Sequence, residues 1–173
     1  MRTPEEDPMD ERISEAVRQF DEVHAEVVAF VLACDERDWR ERTTVEGWPV
    51  GVVAHHIAVG YTTAMGWIDH LRAGEAVPGN PEAHDAGNAE HAAVFDQTTK
   101  VETLADLEAN AATFREFLVR IEPDELSSEA VHGPAGGVVI SVERMVRATA
   151  GHPRLHLEHM REAVAADDAE VAS

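Results

Sequence analysis

An all-α four-helix bundle is the fold class this sequence predicts. Three observations carry it. Four stretches repeat apolar residues every three or four positions, the links between them are mostly short to medium, and no strand pattern is stronger than Gly137-Val138-Val139-Ile140. The 173 residues, 44% of them hydrophobic, suit one domain with a sizeable core and would be cramped for two. We expect a mobile N-terminal end at 1–8, a single bundle domain at 9–166, and a mobile acidic tail at 167–173.

The first helix shows a seam of Ile13, Val17, Phe20, His24, Val27, Val31 and Cys34, with a histidine set among apolar residues. A second helix should start near Pro49, because proline suits a first turn, and reach about Ala73 before Gly74. Residues 74–88 contain Gly74, Pro78, Gly79, Pro81 and Gly87, and so read as a long connection, with a short helix allowed from Asn88 to Gln97. Thr103 with Asp106 resembles an N-cap for the third long helix. Its seam is Leu104, Leu107, Ala111, Phe114, Leu118 and Ile121, and Pro123 ends it. Ser127 to Gly137 reads as loop. Ser141 then caps a fourth helix that reaches about Ala165.

Charge narrows the partners. Thirty-four acidic residues against 14 basic ones leave a net charge of −20, which argues against nucleic acid and against anionic membrane surfaces. No apolar run approaches the ~20 residues of a membrane span. The start, Met1 to Asp7, is acidic without an apolar segment, so no signal peptide is expected and a cytoplasmic location is. Cys34 is the sole cysteine, which leaves no intrachain disulfide and no thiolate-rich zinc site. Histidine is the count that stands out: ten, beside one lysine, Lys100.

Bundles hold metals and ligands with inward side chains from facing helices, so the direction of each histidine is informative. On the second helix the stripe is Val50, Val53, Ile57, Tyr61, Ala64, Ile68 and Leu71. At about 100° per residue, His56 lies about 85° from its centre and can turn inward, whereas His55 lies nearly opposite and should meet solvent. On the fourth helix the stripe is Val142, Met145, Val146, Thr149, Leu157, Met160 and Val164. His156 lies about 40° from that centre, His152 about 80° and His159 about 100°. His152 and His156 are one turn apart, the spacing by which one helix offers two imidazoles to one metal. With His56 they form the favoured metal set, and His159 is the main rival ligand because it also neighbours His156. His24 reads as a core-edge histidine. His55, His70, His84, His91 and His132 read as surface or loop residues. Arg144, Arg147, Arg154 and Arg161 fall on the polar flank of the fourth helix, where Glu143–Arg147 and Arg154–Glu158 have the spacing of solvated ion pairs. A carboxylate-bridged di-iron site would need two helical Glu-x-x-His motifs, and the only such spacing, Glu129 to His132, falls in the expected loop.

Two segments carry a family resemblance. Trp48-Pro49-Val50-Gly51-Val52-Val53-Ala54-His55-His56-Ile57-Ala58 and Gly151-His152-Pro153-Arg154-Leu155-His156-Leu157 resemble the motifs of the DinB-like/mycothiol-dependent maleylpyruvate isomerase superfamily of bacterial metalloproteins. The resemblance selects His56, His152 and His156 as ligands. It implies one divalent metal, zinc or nickel, a homodimer, and a low-molecular-weight thiol such as mycothiol or bacillithiol as cofactor or co-substrate. The expected function is therefore thiol-dependent S-transfer or isomerisation of a small electrophilic substrate. The alternative is a non-catalytic metal- or ligand-binding stress-response protein on the same fold. His152 stands where the maleylpyruvate isomerase branch typically has glutamate. Pro153 is a second departure: it should kink the metal-bearing helix or free the Thr149 carbonyl. Three neutral imidazoles leave metal positions open for water or substrate, and no general base is identified.

Overall fold

Asp10 opens the first helix by accepting the Arg12 N–H on its carboxylate at 2.8 Å, and α1 (Glu11–Ala33) runs from there to Cys34. The computed structural model describes residues 9–171, with side chains through residue 166. The expected mobile end at 1–8 and the side chains of the expected tail at 167–173 lie outside the described residues. The expected seam of α1 is buried at Ile13, Val17, Phe20, Val27 and Val31.

A short helix that the periodicity does not reveal follows, α2 (Glu36–Arg40), held by an Asp35/Asp38 capping box. Five residues are too few to show a period. What α2 contributes is Trp39, buried, with its indole N–H donated to the Thr98 carbonyl at 3.0 Å. α3 (Val50–Arg72) starts after Pro49 as expected, and a side chain at Gly51 would collide with the Trp39 ring.

The long connection after α3 is mostly helix. Asn80 accepts the Ala83 N–H, Pro81 takes the first turn, and α4 (Pro81–Val94) runs earlier and further than the short helix expected at 88–97. Its hydrophobic residues are weakly patterned and none is buried, so periodicity gave little warning. α5 (Lys100–Leu118) is capped by Thr99 with Glu102, one turn before the expected Thr103. Thr103 is instead buried, its hydroxyl 3.1 Å from that of Thr98.

Residues 129–141 correct the expectation of a loop without sheet. β1 (Glu129–His132) and β2 (Val138–Ser141) pair antiparallel, Glu129 opposite Ser141 and His132 opposite Val138. Gly136 and Gly137, at φ 76° and 80°, make the reversal. Two four-residue strands are shorter than any alternation that could be counted. α6 (Val142–Val171) follows, with the Arg144 N–H on Ser141 Oγ, and it continues through Pro153.

The bundle is α1, α3, α5 and α6. Both α1 and α3 pack on α5 and α6, so these two consecutive long helices lie diagonally across the bundle. The α1–α5 side is filled by aromatic rings, Phe20 standing 5.0 Å from both Tyr61 and Phe114. The α3–α6 seam instead opens toward α4 and the hairpin, and the histidines gather there.

Candidate metal centre

α3 and α6 bring His56, His152 and His156 together, with one ring nitrogen of each within 4.8 Å of the others. His152 Nε2 and His156 Nε2 are 2.9 Å apart, and the rings of His56 and His156 meet edge to face at 5.3 Å. Trp48, just before α3, stands against His56 at 5.5 Å. His156 is buried, His56 half-buried, and His152 opens to solvent by area although protein atoms crowd its ring.

Glu46 is the residue that sequence reasoning missed. It sits in the turn before α3, where Gly47 at φ 70° folds the chain so that the Thr43 N–H donates to the Trp48 carbonyl and the Gly47 N–H to that of Thr43. Its Oε1 accepts from His156 Nδ1 at 2.9 Å and from His159 Nδ1 at 2.7 Å. Burial alone would raise its pKa, but bonds from His159, Thr43 and His156 outweigh that and hold the carboxyl down to about 2. An ionised Glu46 fixes the His156 tautomer: Nδ1 carries the proton, and Nε2 presents a bare lone pair toward His152 and His56. One signal was available, since Glu46 is the only acidic residue between Glu41 and Asp69.

The protonation states suit ligation. Burial first, then the fields of His156 and other rings, push His56 down to about 3 and His152 down to about 4. Both are neutral near pH 7, as imidazole ligands must be. Two donors about 2 Å from one zinc-sized ion stand roughly 3.3 Å apart, so the 2.9 Å pair needs only a small opening. The residues therefore fit a divalent cation. A second donor set, Glu46, His156 and His159, shares His156 and uses its other nitrogen. There the two Nδ1 atoms already donate to one carboxylate oxygen, while Oε2 is buried without a partner. His159, expected as the rival ligand, is thus placed on the far side of Glu46.

The three-histidine set alone adjoins a cavity of about 580 Å³, whose wall includes His56 and His152 but neither Glu46 nor His159. Tyr61, Trp67, Ile140 and Met145 make much of that wall, and among the described residues no Asp, Glu, Lys or Arg lines it. His84 and His91 from α4 and His132 from β1 also line it, correcting their reading as surface or loop residues. His132 is buried and accepts the Ala135 N–H on Nδ1.

His55 is a further correction. It is buried rather than solvent-facing, stacked on Phe95 at 3.9 Å, with Nδ1 3.4 Å from His91 Nε2 and Nε2 3.3 Å from Asp106. An isolated amphipathic helix keeps one solvent face, but the first turns of α3 are buried all round, from Val50 through His55. Pro153, also buried, lines the cavity beside Thr149, whose carbonyl it deprives of an amide donor.

Comparison with known proteins agrees with this fold. A family model described as the DinB superfamily matches residues 2–160. No curated protein matches. Among solved structures, the chain is similar to YfiT from Bacillus subtilis, described as a probable metal-dependent hydrolase with an unusual four-helix bundle topology. The TM-score is 0.73 at 17% identity, over 94% of this chain and 91% of that one. It is also similar to a histidine-to-alanine variant of the mycothiol-dependent maleylpyruvate isomerase, with TM-score 0.64 and 17% identity. That match covers 92% of this chain but 63% of the other.

Proposed function

The chain belongs to the DinB superfamily, and on that premise we propose that it is a metal- and thiol-dependent transferase or isomerase built around His56, His152 and His156. The observation that carries the reading is the convergence of three imidazole nitrogens beside an apolar cavity. A divalent cation there, zinc or nickel, supplies Lewis acidity and favours the thiolate form of a bound small thiol. The chain's own residues do the rest. His56, His152 and His156 hold the cation as neutral donors, and Glu46 keeps the His156 proton on Nδ1 so that Nε2 stays free. Tyr61, Trp67 and Met145 exclude water from the space where an electrophilic carbon would meet sulfur. The maleylpyruvate isomerase supports the thiol and YfiT supports the metal, each through shared fold. The same reading has the chain working as a homodimer on a small-molecule substrate, which light scattering checks for the oligomer. No described helix is long and apolar enough to cross a membrane.

A thiol-transfer assay tests the activity. Zinc- or nickel-loaded protein is mixed with mycothiol, bacillithiol or glutathione and an aryl chloride. The carbon–sulfur bond forms, the carbon–chlorine bond breaks, chloride leaves, and the thiol proton goes to solvent. Turnover with one thiol that is lost in His56→Ala supports the reading. Bound metal without turnover by any of the three leaves the non-catalytic metal-binding protein in its place.

A further inference from the structure

The arginines of α6 do not behave alike. Arg154 and Arg161 both pair with Glu26, at 3.3 and 3.4 Å, and Glu143 pairs with Arg12 at 3.5 Å rather than with Arg147 as its spacing suggested. That leaves Arg144 and Arg147. Among the described residues they are the arginines whose side chains form no hydrogen bond or ion pair, and Arg147 contributes only a longer-range field at Glu15. In a chain of net charge −20, two free guanidinium groups one turn apart stand out.

They share a groove. A concavity of about 590 Å³ is lined by Gln19, Ser141, Glu143, Arg144, Arg147 and Ala148. Ala148 also lines the histidine cavity, so the two spaces adjoin there. Arg144, Ala148 and His152 follow one another at four-residue spacing on one face of α6, and Ser141 ends β2 just before it. Eight residues separate Arg144 from His152, about 12 Å along the helix axis. The cavity end has no charged wall, and the groove end has two unpaired cations. Gln19 and Ser141 add neutral polar groups at the groove, while Glu143 on its rim disfavours a dianion.

We propose that the groove binds the carboxylate of an amphipathic small molecule whose apolar stem runs past Ala148 into the histidine cavity. Arg144 and Arg147 donate to the carboxylate, and the stem lies along the apolar wall, which places its far end at the three histidines. The substrate class follows: a monoanionic carboxylic acid with its reacting group remote from the carboxylate. This rests on the cavity being the reaction site, but the anion preference itself needs no metal.

Calorimetry with octanoate and octanamide separates charge from stem, on both metal-free and zinc-loaded protein. In wild type, octanoate should bind about tenfold more tightly than octanamide, and 1 M salt should shrink that ratio. Arg144→Ala/Arg147→Ala should remove the preference while leaving octanamide binding and bound zinc unchanged. Ala148→Trp, at the junction, should weaken both ligands. Equal binding of the two in wild type, no binding of either, or a preference that survives the double substitution would overturn the proposal. Unchanged octanamide binding in Ala148→Trp would overturn the route of the stem. Loss of the metal reading shows separately, as wild type that takes up no zinc yet keeps the octanoate preference.

Discussion

His24 in α1 and His156 in α6 both sit in apolar helical seams, yet their surroundings make them opposite things. His24 packs between Phe20 and Tyr61, with Nδ1 3.5 Å from the Tyr61 hydroxyl and Nε2 buried without a hydrogen bond, the exposed Glu108 carboxylate standing 4.0 Å away. Burial lowers its pKa, and no second imidazole faces it. In His156, Glu46 occupies one nitrogen and the other meets His152 and His56. A core histidine is suited to ligation when an anion fixes one nitrogen and two more donors converge on the other. The two sides of the bundle divide the work accordingly: α1 and α5 fill space, whereas α3 and α6 surround it.

The largest expected effect breaks the filled side. Phe114→Ala, in the ring cluster with Phe20 and Tyr61, should cost about 3–5 kcal/mol of stability in denaturant titration. Zinc bound per folded chain should stay at the wild-type level, and its loss would mean that the two sides are not separable. Next is Glu46→Gln, which keeps the shape but lets the His156 tautomer change. Zinc affinity should fall about 10- to 100-fold, and the metal-free unfolding midpoint should fall too, because a carboxyl held down to about 2 stabilises the fold near pH 7.

Acid should act mainly on the open side. An unfolded chain protonates histidine near pH 6.5, while the folded chain resists until about pH 3 at His56 and about pH 4 at His152. Between those limits the unfolded state binds more protons, so stability rises with pH and is lost as pH falls below 6.5. The melting temperature of metal-free protein should therefore drop steadily from pH 7 to pH 4.5, and His56→Gln should flatten that slope. His24→Leu should have the smallest effect. It replaces a buried nitrogen that forms no hydrogen bond by carbon, and should shift stability by about 1 kcal/mol or less while leaving zinc binding unchanged.

The bundle was legible because Val50, Ile57, Tyr61 and Ile68 on α3, like Leu107, Phe114 and Leu118 on α5, repeat over many turns. α2 and the hairpin were not, since five- and four-residue elements carry too few positions to show a period. The wheel also brought His56, His152 and His156 to one place, and the structure agrees in that placement. It failed at His55, where His91 and Phe95 close the side that a lone helix would give to solvent. His84, His91 and His132 could not be placed, because α4 buries none of its residues and β1 was not expected. Glu46 lies in a turn, and only its isolation among uncharged neighbours marked it.

Metal content of purified variants tests the central claim most directly. Wild type, His56→Ala, His156→Ala and His159→Ala are refolded or reloaded with one equivalent of zinc, desalted, and analysed for metal per chain. The three-histidine centre predicts near one in wild type and in His159→Ala, and near none in His56→Ala and His156→Ala. Full zinc in His56→Ala, or complete loss in His159→Ala alone, would contradict it.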